Sequence, residues 1–224
     1  MKAILLALAL CLSIPLAAQG KSRPKPAAKV PATAAAEPAA VVPAPPPPVV
    51  KPKPRVQFLT SYGPIVVELE PALAPKTVAN FLRYVAEGHY AGTIFHRVIE
   101  GFMVQGGGLL PDLTEKPTHE PVFNEAPDTF AAGLRNTRGT IAMARTDSPQ
   151  SATAQFYFNT VDNVSLDHRD LTETGFGYCV FGRVVAGMDN VDKIEKVKTV
   201  WRKGMQNVPD YAVRIKSAER LPEP

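Results

Sequence analysis

An arginine lies in the middle of a short apolar segment, Phe95-His96-Arg97-Val98-Ile99. Side chains alternate between the two faces of a strand, so a strand here would place Arg97 on one face with Phe95 and Ile99. A guanidinium stays charged and directs several N–H groups, which can stabilise a charge or lone pair developing on a bound molecule. These residue types therefore indicate either an electrostatic catalyst in a groove or a surface arginine lying along apolar side chains.

The next segment, Phe102-Met103-Val104-Gln105, adds apolar and amide side chains close to this arginine. Alternation puts Met103 and Gln105 on one face, and Gly101 is a hinge that can direct the ring of Phe102 toward the same groove. Such residues could line a pocket, but the spacing alone favours ordinary core packing for Phe102, Met103 and the later Leu166.

The sequence lacks the motifs of several other kinds of active site. The four histidines show no metal-site spacing, so we expect no metal and no other cofactor, and we expect His96 to be a hydrogen-bonded structural residue. No Gly-x-Ser-x-Gly nucleophile elbow occurs. Gly106 to Gly108 are not followed by Lys-Ser/Thr, which favours a tight turn over a phosphate loop. Asn163-Val164-Ser165 is a glycosylation sequon, with meaning only in a glycosylating host.

The first 54 residues differ in composition from the rest of the 224-residue chain. Residues 1–20 combine Lys2, an apolar run and small residues, which predicts a secretory signal peptide and an exported, periplasmic or secreted protein. A lipid anchor through Cys11 is disfavoured, because Leu10 precedes it and the cysteine lies inside the apolar run. Residues 21–54 form a Pro/Ala/Lys-rich segment that cannot pack, so we expect a disordered linker.

Charge is distributed unevenly along the chain. The formal net charge is +4, but residues 21–55 carry +6 and Lys2 adds one more, so residues 56–224 are left at −3. This removes the electrostatic support for nucleic-acid binding by the folded part. We expect no stable membrane insertion after removal of the signal peptide, and we expect a monomer.

The region 55–224 reads as many short strands with only two helices. Helices are predicted at 75–87, where Pro75 suits the first turn, and at Val191 to Val197. Strands are predicted for the segments with β-branched or aromatic residues between turn signals: Val56–Leu59, Ile65–Leu69, Ile94–Ile99, Phe102–Gln105, Thr140–Ala144, Phe156–Thr160, Tyr178–Val185 and Tyr211–Ala218. This pattern indicates a closed β-barrel with helical caps.

Several blocks in this region, in the same order, resemble the signatures of the cyclophilin-type peptidyl-prolyl cis/trans isomerases. These blocks are Phe95–Gly108, Gly139–Arg145, Gln155–Phe158, Leu166–Asp167 and Gly177–Val184. The resemblance covers residues 56–221 and is strongest to the bacterial exported branch. It implies a mainly β fold, a cyclophilin-like closed eight-stranded antiparallel barrel capped by two α-helices.

The resemblance also implies an activity and a site. It implies an isomerase that acts on X–Pro bonds of unfolded or exported polypeptides and assists their folding, with Arg97 as the catalytic residue. Phe102, Met103, Tyr157 and Leu166 would wall a proline pocket, and Tyr178 would lie at its edge. Gln105, Ala144, Arg145 and Gln155 would hold substrate backbone. The alternative is a proline-peptide-binding chaperone module on the same fold with little catalysis.

Two positions depart from the family pattern. Tyr157 stands where the family usually has Phe, and we expect its hydroxyl to point toward the pocket rim. Ser165 stands where the family has Trp or another aromatic, which removes one wall of the site and supports the binding-module alternative. The family's aromatic at that position contacts the inhibitor cyclosporin, so the resemblance implies weak cyclosporin sensitivity here. Trp201 lies beyond the second helix, in a predicted basic loop, and does not replace the missing ring.

Overall fold

The computed structural model describes residues 52–222. The predicted signal peptide 1–20, and the linker 21–54 except for its last three residues, lie outside this range. Within residues 52–222, the helices are all too short or too polar to cross a bilayer.

The described chain contains ten strands and three α-helices. In chain order they are β1 Arg55–Thr60, β2 Gly63–Leu69, α1 Pro75–Ala86, β3 Ile94–Ile99, β4 Met103–Leu109, α2 Ala126–Ala131, β5 Thr140–Met143, β6 Phe156–Asn159, β7 Val180–Ala186, α3 Met188–Glu195, β8 Thr199–Arg202, β9 Met205–Pro209 and β10 Val213–Arg220. A single 3-10 turn, Val164–Leu166, lies between β6 and β7.

Eight strands close into an antiparallel barrel in the order β1-β10-β3-β4-β6-β5-β7-β2, which confirms the predicted fold class. Its interior is filled by aromatic rings. Phe58 is fully buried and lies 5.0 Å from Phe156, 6.0 Å from Phe158 and 6.1 Å from Phe81, measured between ring centroids. Edge-to-face and tilted pairs at these separations are the favoured aromatic geometry, so the barrel is closed around a dry, interlocking core.

Helix α1 covers one end of this core. It begins at Pro75 as predicted and buries Val78, Phe81 and Val85, whose spacing gave the helical pattern. No side chain of its own caps its N-terminus; instead, the buried carboxylate of Glu125 accepts the backbone N–H groups of Lys76 (3.1 Å) and Thr77 (2.8 Å). A negative charge at a helix N-terminus is stabilising, so this contact pins the long loop after β4 to the helix.

The prediction that Phe95 and Arg97 share one face of β3 is wrong. The β3–β4 pairing shifts register between Phe95 and Arg97, so the strand contains a bulge there. Phe95 and Val98 both pack in the barrel core, whereas Arg97 is half-buried on the outer surface. One extra residue in a strand turns the following side chains to the opposite face. The bulge therefore separates Phe95 from Arg97 and directs the guanidinium out of the barrel.

Two elements are absent from the sequence-based prediction. The six-residue helix α2 lies inside the segment that was predicted as a long loop. The β8–β9 hairpin replaces the basic loop that contains Trp201, and its turn residues Lys203 and Gly204 both have positive φ, 49° and 81°. Two consecutive positive φ values are typical of a type I′ hairpin turn. The usual sequence for such a turn is Asn-Gly, so Lys203-Gly204 gave a weaker signal and the hairpin was not predicted.

Several boundaries also move. The second predicted helix begins earlier, at Met188 instead of Val191, and ends at Glu195. Gly106 to Gly108 do not form a turn: they continue β4 to Leu109. A Cβ atom on Gly106 would collide with Phe95 and the Ile94 carbonyl, and one on Gly108 would collide with the side chain of Gln155. These glycines therefore permit close approach between neighbouring groups inside a strand.

Candidate functional site

The bulge in β3 places Arg97 opposite Gln105 of β4 in the antiparallel pairing. The Arg97 Nη1 group donates to Gln105 Oε1 at 3.3 Å, and Gln105 Nε2 donates in turn to Gln155 Oε1 at 3.0 Å. Three predicted site residues thus form one hydrogen-bonded row across the outer face of the barrel. A guanidinium has five N–H groups, so this row orients Arg97 and leaves donors free to meet a bound molecule.

A pocket of about 70 Å³ opens beside this row. Nine of the ten residues predicted for the site line it, and the row supplies two of them. The nine residues are Arg97, Phe102, Met103, Gln105, Ala144, Arg145, Tyr157, Leu166 and Tyr178. Their convergence from β3, β4, β6 and three loops could not follow from the alternation of any one strand.

The pocket has its own small apolar layer, distinct from the barrel core. Met103, Ala142, Ala144, Tyr157 and Val180 form a separate buried cluster. Other side chains pack against that cluster from the outside, and three of them line the pocket: Phe102, Leu166 and Tyr178. A recess with an apolar layer, whose lining also includes the polar side chains of Arg97, Gln105 and Arg145, suits a small ring whose flanking atoms are polar.

Tyr157 points in the direction opposite to the one predicted. Its side chain is buried, with 4% exposure, and its hydroxyl donates to Asn136 Oδ1 at 2.7 Å, beneath the pocket and away from the rim. Burial raises the pKa of Tyr157 well above its usual range, so the phenol stays protonated and acts as a donor. The hydroxyl is thus part of the support of the pocket.

Arg145 lies at the pocket, but most of its guanidinium is already bound. It donates to the carbonyl oxygens of Thr146, Asp147 and Glu173 at 2.9 Å each and to that of Gly177 at 3.2 Å. The same group lies 4.6 Å from the ring centroid of Tyr178. Arg145 therefore joins the loop after β5 to the loop before β7, and it stacks on one edge of the pocket.

Ser165, the position predicted to lack an aromatic wall, is not among the residues that line the pocket. Ser165 is exposed in the 3-10 turn next to Leu166. The neighbouring Asn163 is buried, and its Nδ2 donates to the carbonyl of Phe102 (2.8 Å) and to Asn159 Oδ1 (2.7 Å). This asparagine is a structural residue in the fold, so the sequon at 163–165 does not present a free acceptor amide.

Gln155, the tenth predicted residue, does not line the small pocket. It lies in an adjoining open groove of about 650 Å³, which also includes Arg97, Gln105 and Met205 of β9. His96 borders the same groove and is 2% exposed. Burial, reinforced by the nearby charge of Arg97, lowers the pKa of His96 to about 4, so this side chain is neutral near pH 7.

Sequence reasoning missed the polar residues below the pocket. Asn136, Asn159, Asn163 and Asp167 are all at least 93% buried and connect to one another by hydrogen bonds. They fall in predicted loops or at a strand end, where no periodicity marks a residue as buried. The one signal in the sequence was the presence of several Asn and Asp residues in these segments. Buried amides and carboxylates require hydrogen-bond partners, so they tend to lie together.

Comparisons with known proteins agree with this geometry. Residues 55–220 match the family described as cyclophilin type peptidyl-prolyl cis-trans isomerase/CLD. A peptidyl-prolyl cis-trans isomerase of Streptomyces antibioticus is 55% identical over 166 residues, covering 74% of this chain and 98% of that protein. Peptidyl-prolyl cis-trans isomerase B of Escherichia coli K12 is 55% identical over 163 residues, covering 72% and 96%.

A solved structure supports the fold. A crystal structure of a cyclophilin type peptidyl-prolyl cis-trans isomerase of Cryptosporidium parvum superimposes with a TM-score of 0.59. It is 24% identical in sequence and covers 77% of this chain and 99% of its own. The eight-stranded closed barrel with an apolar pocket on its outer surface is therefore a cyclophilin fold.

The chain belongs to the cyclophilin-type peptidyl-prolyl cis-trans isomerase family. It is an isomerase that accelerates rotation about X–Pro bonds in polypeptides, and proline-containing peptides are its substrates. The X–Pro amide is conjugated, so its rotation is slow without a catalyst. Catalysis needs no covalent step: it requires a recess for the proline ring and a donor near the prolyl nitrogen, which gains a usable lone pair as the bond twists.

Proposed function

We propose that Arg97 is the catalytic donor and that the 70 Å³ pocket holds the proline ring of the substrate. The observation that carries this proposal is the hydrogen-bonded row from Arg97 through Gln105 to Gln155 along the pocket edge. The row fixes the Arg97 guanidinium at the edge of the pocket. A fixed positive donor stabilises the twisted, lone-pair-bearing nitrogen more than either planar isomer, which is the condition for lowering the barrier.

Each remaining predicted site residue has a place in this proposal. Phe102, Met103, Tyr157 and Leu166 contact the ring from the apolar side, and Tyr178 lies at the edge. Gln105, Gln155 and Ala144 face the flanking substrate backbone. Arg145 contributes mainly by holding the loops around Tyr178, because four of its five N–H groups are directed at carbonyl oxygens of the protein.

The test is a protease-coupled isomerisation assay on a short Ala-Pro peptide with Arg97→Ala and Arg97→Lys. Loss of one preorganised donor costs about 3 kcal/mol, so we expect kcat/KM of Arg97→Ala to fall about a hundredfold. Arg97→Lys should recover only part of this loss, since an ammonium lacks the planar fork of donors.

A matched control is Arg183→Ala. Arg183 is an exposed arginine on β7, 3.4 Å from Glu68, and it lines neither the pocket nor the groove. We expect its kcat/KM to stay within about twofold of the wild type, because exposed ion pairs contribute little. A folded Arg97→Ala protein with near wild-type activity would remove Arg97 from the mechanism.

The cellular setting is also a proposal. We propose that the enzyme is exported and acts as a monomer on unfolded or newly exported chains, assisting their folding without binding nucleic acid. The signal-like segment 1–20 and the net charge of −3 over residues 56–224 support this. The Pro/Ala/Lys-rich segment 21–54 then serves as a spacer. Cell fractionation of the full chain, with cytoplasmic and periplasmic markers, tests the location: recovery in the cytoplasmic fraction would contradict it.

A further inference from the structure

One buried side chain below the pocket, Asn136, contacts most of the polar residues found there. It is 2% exposed and does not line the pocket. Asn136 Oδ1 accepts from the Tyr157 hydroxyl at 2.7 Å, and its Nδ2 donates to Asp167 Oδ1 at 3.0 Å. Its backbone N–H also donates to Asp167 Oδ1 at 2.8 Å, and its carbonyl accepts from the backbone N–H of Asn163 at 2.7 Å.

These contacts lead to the segments that bear Phe102, Leu166 and Tyr178, in addition to Tyr157 itself. Asn163 donates to the carbonyl of Phe102, and Leu166 lies between Asn163 and Asp167 in the chain. The backbone N–H of Tyr178 donates to the Leu166 carbonyl at 3.0 Å, and the Tyr178 carbonyl faces Asn136 Nδ2 at 3.5 Å. The segments that bear four pocket residues are therefore joined through one hub.

We propose that Asn136, acting through the Tyr157 hydroxyl and Asp167, is a positioning residue that sets the width of the proline pocket. The proposal rests on the function proposed above for the pocket, though not on the role of Arg97. Tyr157 is the chain-specific part of this device, because its hydroxyl exists only where a tyrosine replaces the phenylalanine usual at that position. It anchors the pocket ring to the same hub that holds Leu166 and Tyr178.

The arrangement compensates for the exposed Ser165. Without a large side chain at 165, the 3-10 turn that carries Leu166 has no aromatic ring at that position to pack against the mouth. Directional hydrogen bonds from buried groups hold a segment in one place, since breaking them leaves unsatisfied polar atoms in an apolar setting. Leu166 can therefore keep its position against the pocket through its flanking residues, Asn163 and Asp167.

The kinetic signature of this role differs from that of a donor. A looser recess binds the planar substrate and the twisted state less well by the same amount, so it raises KM and leaves kcat unchanged. We expect Tyr157→Phe to raise KM for a short Ala-Pro peptide about fivefold, with kcat within about twofold of the wild type; the change in KM corresponds to about 1 kcal/mol of weaker substrate binding. Both constants are to be measured over a range of peptide concentrations.

Tyr84→Phe is the matched control. Tyr84 is equally buried, at 1% exposure, and its hydroxyl is also hydrogen-bonded, accepting from the backbone N–H of His119 at 2.8 Å. It packs in the main core and is not part of the pocket or its hub. We expect both variants to lose similar stability in urea unfolding, with KM raised only in Tyr157→Phe. An unchanged KM in Tyr157→Phe, or an equal rise in Tyr84→Phe, would overturn the proposal.

A double variant tests whether the hub transmits the effect. Asn136→Ala removes the acceptor of the Tyr157 hydroxyl, so adding Tyr157→Phe should raise KM no further than Asn136→Ala does alone, within about twofold. Independent, multiplying effects on KM would show that the hydroxyl acts on the pocket by another route and would overturn the role of Asn136. If Asn136→Ala does not fold, the comparison of Tyr157→Phe with Tyr84→Phe still decides the proposal. If Arg97→Ala keeps its activity, the KM comparisons of Tyr157→Phe and Asn136→Ala can still be interpreted, because they do not depend on the role of Arg97.

Discussion

The barrel interior and the pocket layer are built by different forces. The interior is an aromatic core around Phe58, and its cohesion comes from burial and ring packing. The pocket layer is a thin apolar cluster resting on buried amides and a carboxylate joined by hydrogen bonds. Burial is non-directional, whereas hydrogen bonds fix orientation, so the core supplies stability and the pocket layer supplies shape.

The largest expected effect is a loss of stability from a substitution in the barrel core, with the pocket kinetics unchanged. Phe58→Ala removes a ring that contacts four other aromatic side chains, and we expect the free energy of unfolding to fall by about 3–5 kcal/mol. Urea unfolding measures this loss. Per folded molecule, kcat and KM should stay within about twofold of the wild type. A large change in KM with the protein still folded would mean that core packing also sets the pocket.

His96 is buried beside the open groove, and its burial makes the stability of the protein depend on pH. Its pKa is about 4 when folded and about 6.5 when unfolded, so the unfolded chain takes up the proton first as the pH falls. The stability from keeping His96 neutral is present above pH 6.5 and declines as the pH drops toward 4. We expect this residue to account for about 3 kcal/mol of lost stability at pH 4.

The measurement is urea unfolding from pH 7 to pH 4 for the wild type and for His96→Gln. The amide cannot take up a proton, so His96→Gln should show a flatter pH dependence, and the difference between the two curves isolates His96 from the carboxylates. Parallel curves for the two proteins would contradict the assignment.

A smaller effect is expected at the pocket mouth. Ser165→Trp restores an aromatic wall, and about 80 Å² of apolar contact at roughly 25 cal/mol per Å² gives about 2 kcal/mol of cyclosporin binding. We therefore expect the Kd for cyclosporin to fall about thirtyfold, with kcat/KM for short peptides changed less than about threefold. Tight, nanomolar inhibition of the unmodified protein would show that the missing wall is replaced by other residues.

Ser61→Trp serves as the control for that substitution. Ser61 is exposed in the β1–β2 turn and lines neither the pocket nor the groove. A new indole there adds the same apolar area without a place at the mouth. Cyclosporin affinity should be unchanged in Ser61→Trp; an equal gain in both variants would point to non-specific binding.

The sequence predicted the barrel and most of the pocket because those features depend on regular patterns and on a family resemblance. It did not predict the face of Phe95, because a bulge breaks the alternation without changing the residue types. It also misjudged the Tyr157 hydroxyl. The polarity of that group predicts only that it needs a partner, and the partner, Asn136, lies 21 residues away in the chain. Contacts of this kind depend on the closed topology, which no local pattern contains.

Barrel closure has a further consequence for an enzyme that handles unfolded chains. Its substrates carry unpaired backbone N–H and C=O groups, which readily add as a new strand to any open sheet edge. Every strand of the barrel is paired on both sides, and within residues 52–222 the two-stranded sheet β8–β9 offers the remaining edges, four and five residues long. The fold therefore limits co-aggregation with its own clients, so contact with them is directed to the pocket surface instead of to a growing β-sheet.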